Sequence, residues 1–548
     1  MGASISASHS GIAAAAPTAS DMRLVIAASS AGTVFEWYDF FIYGTLGPIL
    51  TKAFFPAGNA TLAMLLFWLV FAVGFGFRPL GAVLFGFLGD RLGRKYTFLI
   101  TVTLMGIATA GVGLTPSVKE VGLAAPAIVI ALRVLQGLAL GGEYGGAAIY
   151  VAEHAPAGRR GYFTGFIQAS VVGGFVLSLI VVLTCKGLFG AAVWTTWGWR
   201  VPFVLSLALL GISLYMRMKL SESPVFRAMR EEGELARNPF IESFTHPGNT
   251  KRIFVALIGL AAGMTTIWYT AMFSALSFLQ GAMRLEDTPA QLLVGAGALV
   301  GMTIFVLVGR WSDGVGRKRP IIIGYVLTLL LLFPLFWMIG GAANPGLADA
   351  AKRMPVVVAG PDCAYHPFSP EQPTPCGKLL SDLSAIGVAY HLALAPALNV
   401  TVGGVPLPLA SYPWADKAKR AKQLQVWLTP AGYTIAKVTP SPAKSVVILL
   451  GLIAVMALGG LTYGPQAALL TEMFPPRIRY SSMSIPYHFG TGYFGGFLPL
   501  IASYIVAVTG DPYAGLWYTW GVVAVALVVA LWGLKGGLSP YYTRSDAS

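Results

Sequence analysis

Long apolar runs alternate with short charged loops along this chain, and that alternation predicts twelve membrane-spanning helices. Each run is near the 20 or so residues that cross the hydrocarbon layer. The runs fall at about 25–50, 62–88, 96–115, 124–152, 161–184, 199–218, 252–280, 290–309, 320–340, 445–472, 481–509 and 514–535. A charged segment, 219–251, follows the sixth run, and a polar, Pro- and Ala-rich segment, 341–444, follows the ninth. The expected fold class is an all-α membrane protein with two six-helix bundles. The organisation is a disordered tail at 1–24, a bundle at 25–218, a linker at 219–251, and a second bundle built from 252–340 and 445–535. The second bundle is interrupted by an insertion at 341–444 of mixed secondary structure, and a tail at 536–548 ends the chain.

Two motifs recur between the halves. Gly86-Phe-Leu-Gly89-Asp90-Arg-Leu-Gly93-Arg94-Lys95 matches Gly309-Arg-Trp-Ser-Asp313-Gly-Val-Gly316-Arg317-Lys318 at an offset of 223 residues. Glu153-His-Ala-Pro156-Ala-Gly-Arg-Arg160 matches Glu472-Met-Phe-Pro475-Pro-Arg-Ile-Arg479 at an offset of 319. The 96-residue difference between the offsets locates the insertion between the ninth and tenth helices. Repeated membrane halves imply a substrate path between them. Gly89, Asp90, Gly93, Arg94, Glu153, Arg160, Asp313, Arg317, Glu472 and Arg479 are read as a gating latch at helix ends, made in one conformation and broken in the other. The bland alternative is a purely topological positive charge.

Composition narrows the class. Hydrophobic residues make up 56% and charged residues 11%, against about 25% charged in soluble domains, which excludes a large soluble enzyme. The net charge of +14 fits basic loops facing anionic lipid head groups and calls for no nucleic acid. Lys and Arg concentrate in the ends and in 89–96, 153–162, 216–252, 309–320 and 474–480, which predicts that both termini are cytoplasmic and the insertion lies outside. Cys363 and Cys376 share the insertion, and in an oxidising compartment they are expected to pair. Two free thiols are the alternative. With no CxxC or HExxH spacing, neither a metal nor a cofactor is expected.

Ionisable groups inside spans are costly and point to function. Glu36, Asp39 and Tyr43 share one face of the first helix. Glu36, Asp39 and Glu143 are candidates for proton binding, the alternative for the carboxylates being a structural ion pair with arginine. Arg78 lies twelve residues before Asp90, roughly 18 Å deeper at 1.5 Å per residue, and Arg133 is similarly placed in the fourth helix. Each either captures a substrate carboxylate or pairs with Glu36, Asp39 or Glu143. Tyr43, Gln136, Trp268, Tyr269 and Gln466 complete the substrate-site candidates. A lone buried His488 is read first as structural.

Six further stretches carry a resemblance: Phe35-Glu36-Trp37-Tyr38-Asp39-Phe40, Arg78-Pro79-Leu80-Gly81, Arg133-Val-Leu-Gln136-Gly137, Gly141-Gly142-Glu143-Tyr144-Gly145-Gly146, Trp199-Arg200-Val-Pro202-Phe203 and Glu222-Ser-Pro224-Val-Phe226. With them, the chain resembles the metabolite:proton symporters of the major facilitator superfamily, which include carriers of proline and betaine, α-ketoglutarate, citrate and shikimate. The resemblance implies a monomeric, proton-coupled carrier of a small carboxylate or zwitterion in a bacterial inner membrane, working by alternating access. The competing readings are an uncoupled facilitator or exporter, and a receptor that binds its ligand through the insertion.

Overall fold

The structure, a computed structural model, describes residues 19–56, 59–92, 94–142, 144–156, 158–218, 238–361 and 363–537. Twelve long helices dominate it. The first half holds α1 (Ala19–Thr45), α2 (Ala60–Phe85, running on to Leu92), α3 (Arg94–Leu114), α4 (Ala124–Gly141, continued by Tyr144–His154), α5 (Arg160–Thr196) and α6 (Gly198–Met216). The second half holds α7 (Asn249–Ala282), α8 (Asp287–Val315), α9 (Lys318–Ala343), α10 (Pro442–Met473), α11 (Pro476–Thr509) and α12 (Leu516–Gly533). Among the described residues, ten of the twelve are long and apolar enough to span a bilayer. The other two are α1, which carries Asp21, Arg23, Glu36 and Asp39, and α3, whose apolar stretch is the shorter Leu99–Leu114. Their apolar surface and internally satisfied backbone suit a lipid surround.

The fifth helix runs to Thr196 rather than ending near 184. Lys186 lies within it, and its ammonium donates to Thr288 Oγ1 on α8 at 2.7 Å. The apolar helix then continues to a kink at Gly190, where φ is +70°.

Two seams join the bundles. The side of α5 packs along α8, and α2 packs against α11. The sequence repeat equates α2 with α8 and α5 with α11, so one seam is the pseudo-symmetric image of the other. Glycines set the closeness of the first seam: a Cβ on Gly161 would collide with the carbonyl oxygen of Gly309, and the reverse holds too. In the second half, α7 and α11 contain π-helical turns, at Val255–Ala262, Thr270–Ser274, Phe278–Ala282 and Gly490–Gly496. Such turns interrupt the regular ladder and recur at functional hinges. Pro465 separates two segments of α10, Pro486 sits inside α11 and Pro499 opens its last segment.

The insertion is a small α/β domain with its own core. Strands β1 (Val356–Ala359), β2 (Tyr390–Ala393), β3 (Asn399–Val402) and β4 (Val405–Pro406) form one sheet in the order β2-β1-β3-β4. Helices at Pro345–Arg353, Pro375–Ala385 and Lys417–Leu428 accompany it. A disulfide joins Cys363 to Cys376. Asp382 is buried under Arg420 Nε at 2.6 Å and the Tyr412 hydroxyl at 3.0 Å. The domain docks on the end of the second bundle through Tyr390, whose hydroxyl donates to Ala507 O at 3.2 Å, and through Lys437, which pairs with Asp287 at 2.8 Å. Burial pushes the Tyr390 hydroxyl up to about 12, so it stays a donor across the physiological range. Asp382→Ala strands Arg420, and losing one partner of a buried pair costs about 3–5 kcal/mol. The expected outcome is a protease-sensitive insertion on an intact helical bundle, read by limited proteolysis and mass spectrometry.

Candidate functional site

Arg78 lies where α2 faces the second bundle. It is fully buried, and none of its three guanidinium nitrogens donates a hydrogen bond to any described residue. Three rings surround it instead: Trp37 and Phe75 with centroids at 5.3 Å, and Tyr487 at 5.6 Å. The ring contacts then run across the seam. Phe75 meets Tyr269 at 5.4 Å, Tyr269 meets Trp268 at 4.8 Å, and Trp268 meets Tyr463 at 6.2 Å. Tyr463 and Tyr487 bring their hydroxyls to 3.5 Å. Trp268 Nε1, Tyr269 Oη and both His488 ring nitrogens are buried without hydrogen-bond partners among the described residues. A cation and several polar groups without partners among the described residues, set among aromatic rings, offer the chemistry that a small polar ligand would need.

Contacts across the seam flank this cluster on both sides. Towards the insertion, Phe41 and Phe71 of the first half meet Phe273 of the second at 5.2 Å each. Towards the charged loops, Gln168 Nε2 donates to Gln466 Oε1 at 2.8 Å across the seam.

Arg133 stands in a different environment. Its Nη1 donates to Gln136 Oε1 at 2.8 Å and to Phe40 O at 3.3 Å, and its Nη2 to Phe71 O at 3.4 Å. Phe40 and Tyr43 stack on the guanidinium at 4.1 and 4.7 Å. Gln136 is held in turn by Thr109, and the Tyr43 hydroxyl points to Phe67 O. All of these hydrogen-bond partners belong to the first bundle, so Arg133, Gln136 and Tyr43 form a polar knot within it. Glu36 and Asp39 are each 5% exposed on α1. Among the described residues neither forms an ion pair with Arg78 or Arg133, and Glu143, the third partner weighed from the sequence, lies outside those residues.

The latch residues meet at the loop end. Asp313 accepts hydrogen bonds from the backbone N–H groups of Gly161 and Tyr162, both at 2.8 Å, and so caps the N-terminus of α5 from the opposite bundle. Arg317 bridges Asp313 at 2.7 Å and Glu472 at 2.9 Å. Burial alone would lower the Arg317 pKa, but the hydrogen bonds and charges of Glu472 and Asp313 outweigh it and the net shift is upward. Arg479 of the second bundle pairs with Glu153 of the first at 3.2 Å, and the Tyr480 hydroxyl donates to Gly142 O at 2.8 Å. Arg160 opens α5 within Coulombic reach of Arg479. Gly89 and Asp90 continue the helix of α2. Gly93 and Glu143 lie outside the described residues, as do the side chains of Asp90 and Arg94.

The sequence candidates omitted Trp37, Phe75 and Gln168 from the site. Gln168 was signalled by an amide inside an apolar run. Nothing local distinguishes Trp37 and Phe75 from core aromatics.

Comparison with known proteins agrees with this geometry. Residues 24–263 match the family described as sugar (and other) transporter. The chain is 36% identical over 394 residues to a glycine betaine/proline/ectoine/pipecolic acid transporter of Dickeya dadantii, covering 70% of this chain and 75% of that protein. It is 34% identical over 403 residues to the proline/betaine transporter of Escherichia coli K12, covering 71% and 77%. The chain belongs to the major facilitator superfamily. Its relatives there also include the shikimate transporter and the α-ketoglutarate permease of E. coli, at 36% and 32% identity over shorter spans. The fold superposes on the E. coli proton:xylose symporter bound to 6-bromo-6-deoxy-D-glucose with a TM-score of 0.58 at 17% identity, covering 94% of this chain and 95% of that one. A partially occluded inward-open form of the same xylose transporter gives a TM-score of 0.56 at 17% identity, covering 94% and 97%. This major facilitator protein is therefore an integral membrane transporter and not an enzyme.

Proposed function

We propose that the chain carries small zwitterionic carboxylates across a bacterial inner membrane by proton symport, as a monomer working by alternating access. Arg78 is the observation that carries this reading. A buried guanidinium with no protein acceptor among the described residues needs an anion, and its fork suits a carboxylate. The rings of Trp37, Phe75, Tyr487, Tyr269 and Trp268 supply aromatic faces that attract an ammonium or quaternary ammonium group. A molecule with a carboxylate at one end and a cation at the other satisfies both. The named substrates of the relatives, glycine betaine and proline, have this form.

Proton coupling rests on Glu36 and Asp39. Both carboxylates are buried on α1, the helix that also presents Trp37 to Arg78. An ionisable carboxylate inside a span is costly and marks a candidate proton site. The loop end carries most of the short-loop Lys and Arg, which supports a cytoplasmic latch and an external insertion.

The test is uptake of L-proline and of glycine betaine into proteoliposomes. An inward proton gradient is expected to accelerate uptake, and a protonophore to collapse it. Asp39→Asn or Glu36→Gln should remove that dependence for at least one of the two carboxylates. Uptake at the same rate with and without the gradient would leave an uncoupled facilitator.

A further inference from the structure

A cavity of about 310 Å³ lies away from Arg78 at the insertion end. Three bodies build it. The second bundle gives Thr270, Ser274, Ser277 and Phe278 from α7 and the segments around Pro499 of α11 and Thr519 of α12. The insertion roofs it with Ser384, Ala385, Gly387 and Val388, and the start of α2, from Ala60 to Leu65, closes it from the other bundle. The lining is mostly apolar and hydroxylated. Arg284 is its one charged residue, and no carboxylate lines the cavity.

Arg284 is unusual in two ways. It is the one non-glycine residue with left-handed backbone among those described, at φ +55°. Backbone of this kind is costly for a side chain with a Cβ and persists where the surroundings impose it. Here the turn between α7 and α8 is held by the insertion: Val438 N–H donates to Arg284 O at 2.9 Å and Glu286 N–H to Val438 O at 3.0 Å. The Arg284 guanidinium donates only to carbonyls, to Ile435 O from Nε at 3.0 Å and to Ala385 O from Nη1 at 3.4 Å. Burial lowers its pKa, and no neighbouring acid offsets that. On the α7 wall, Ser274 Oγ is buried without a partner among the described residues.

We infer that this cavity is a second ligand site, which takes a small monocarboxylate with an apolar body. The carboxylate sits on Arg284, and the apolar part fills the space between α7, α11 and α12 under the insertion. A half-buried cation bonded only to neutral carbonyls retains the charge to bind an anion, and a mostly apolar cavity of this size with one fixed charge is the usual form of a small-molecule pocket. It differs from the Arg78 site in lacking that site's aromatic rings for a cationic end. Since α2 belongs to one bundle and the remaining walls to the other, a bound carboxylate contacts both halves. It therefore favours the arrangement in which this end is closed.

The experiment uses the full chain in nanodiscs of zwitterionic lipid, with 4-fluorobenzoate as probe and 4-fluorobenzyl alcohol as its neutral control, both followed by ¹⁹F NMR. Arg284→Gln should weaken 4-fluorobenzoate binding about tenfold or more, the loss expected for a charge-assisted hydrogen bond. Arg284→Lys should retain part of it. Ser274→Leu, which fills the cavity and leaves Arg284 in place, should also abolish binding, while Arg78→Lys should leave it unchanged. The inference is overturned if 4-fluorobenzoate does not bind the native chain, or if the alcohol binds as well as the carboxylate. It is also overturned if Arg78→Lys removes binding and Arg284→Gln does not. Failure of the symport reading would appear separately, as proline and betaine uptake indifferent to Arg78 or to the proton gradient.

Discussion

Arg78→Lys is expected to weaken binding of proline or betaine by about tenfold or more, and Arg78→Ala to abolish it. Lysine keeps the charge but presents a point cation in place of a two-pronged fork, and one lost charge-assisted hydrogen bond is worth about 1.5–3 kcal/mol, or roughly a decade or more in affinity. The three rings around Arg78 at 5.3–5.6 Å would also lose a flat partner. Binding and melting temperature measured together separate this from a structural role. Were Arg78 a partner of Asp39, Arg78→Ala would destabilise the fold and Asp39→Asn would rescue it. Arg78 and Asp39 form no ion pair here, so no rescue is expected. Unchanged affinity in the lysine variant would remove the substrate role. The same substitutions at Arg133 should chiefly lower stability, because its guanidinium is committed to Phe40, Phe71 and Gln136.

Asp313→Asn should open the loop end. The native carboxylate caps α5 with two backbone hydrogen bonds and holds Arg317 at 2.7 Å. A capping acceptor contributes about 1 kcal/mol, and its charge at the helix N-terminus up to about 1 kcal/mol more. Because cap and charge act only while α5 and α8 are in contact, their loss shifts the two-state equilibrium rather than the stability of either bundle. About 2 kcal/mol corresponds to roughly a thirtyfold change in populations. Measurement is by maleimide labelling of Val306→Cys, beside Gly165 on the α5–α8 seam, in a Cys185→Ser background. Labelling should rise strongly in Asp313→Asn and transport should fall. Equal labelling of Val306→Cys with and without Asp313→Asn would show that this contact does not gate the seam.

Much of the architecture was legible because its cause is local. A span needs about 20 apolar residues in sequence, so the helices could be counted directly, and gene-level repetition left the 223- and 319-residue offsets as a ruler for the insertion. The insertion's sheet was less legible, since its strands are four residues or shorter and their pairing is non-local. The candidate site was legible as a set of unusual residues. Charges within apolar runs marked Glu36, Asp39, Arg78 and Arg133 from composition alone, because hydrocarbon makes each of them expensive.

Spacing along a helix does not say what lies across a seam. Arg78 and Arg133 look alike in sequence, each a guanidinium deep in a span. Only the packing of α2 against α11 and of α4 inside its own bundle separates them: one lacks an acceptor among the described residues and faces the other half, and the other donates from both Nη atoms to acceptors of its own bundle. Asp313 reads in the sequence as one charge of a repeated motif, yet its carboxylate caps α5, some 150 residues earlier, because facing glycines at 161 and 309 let the two backbones approach. The sequence alone determined which residues must be costly in a membrane and how many times the chain crosses it. Tertiary structure decided which of those costs are met by hydrogen bonds within the protein and which groups stay without a partner among the described residues, because hydrogen bonds and ring contacts across a seam depend on distances that the linear order of residues does not contain.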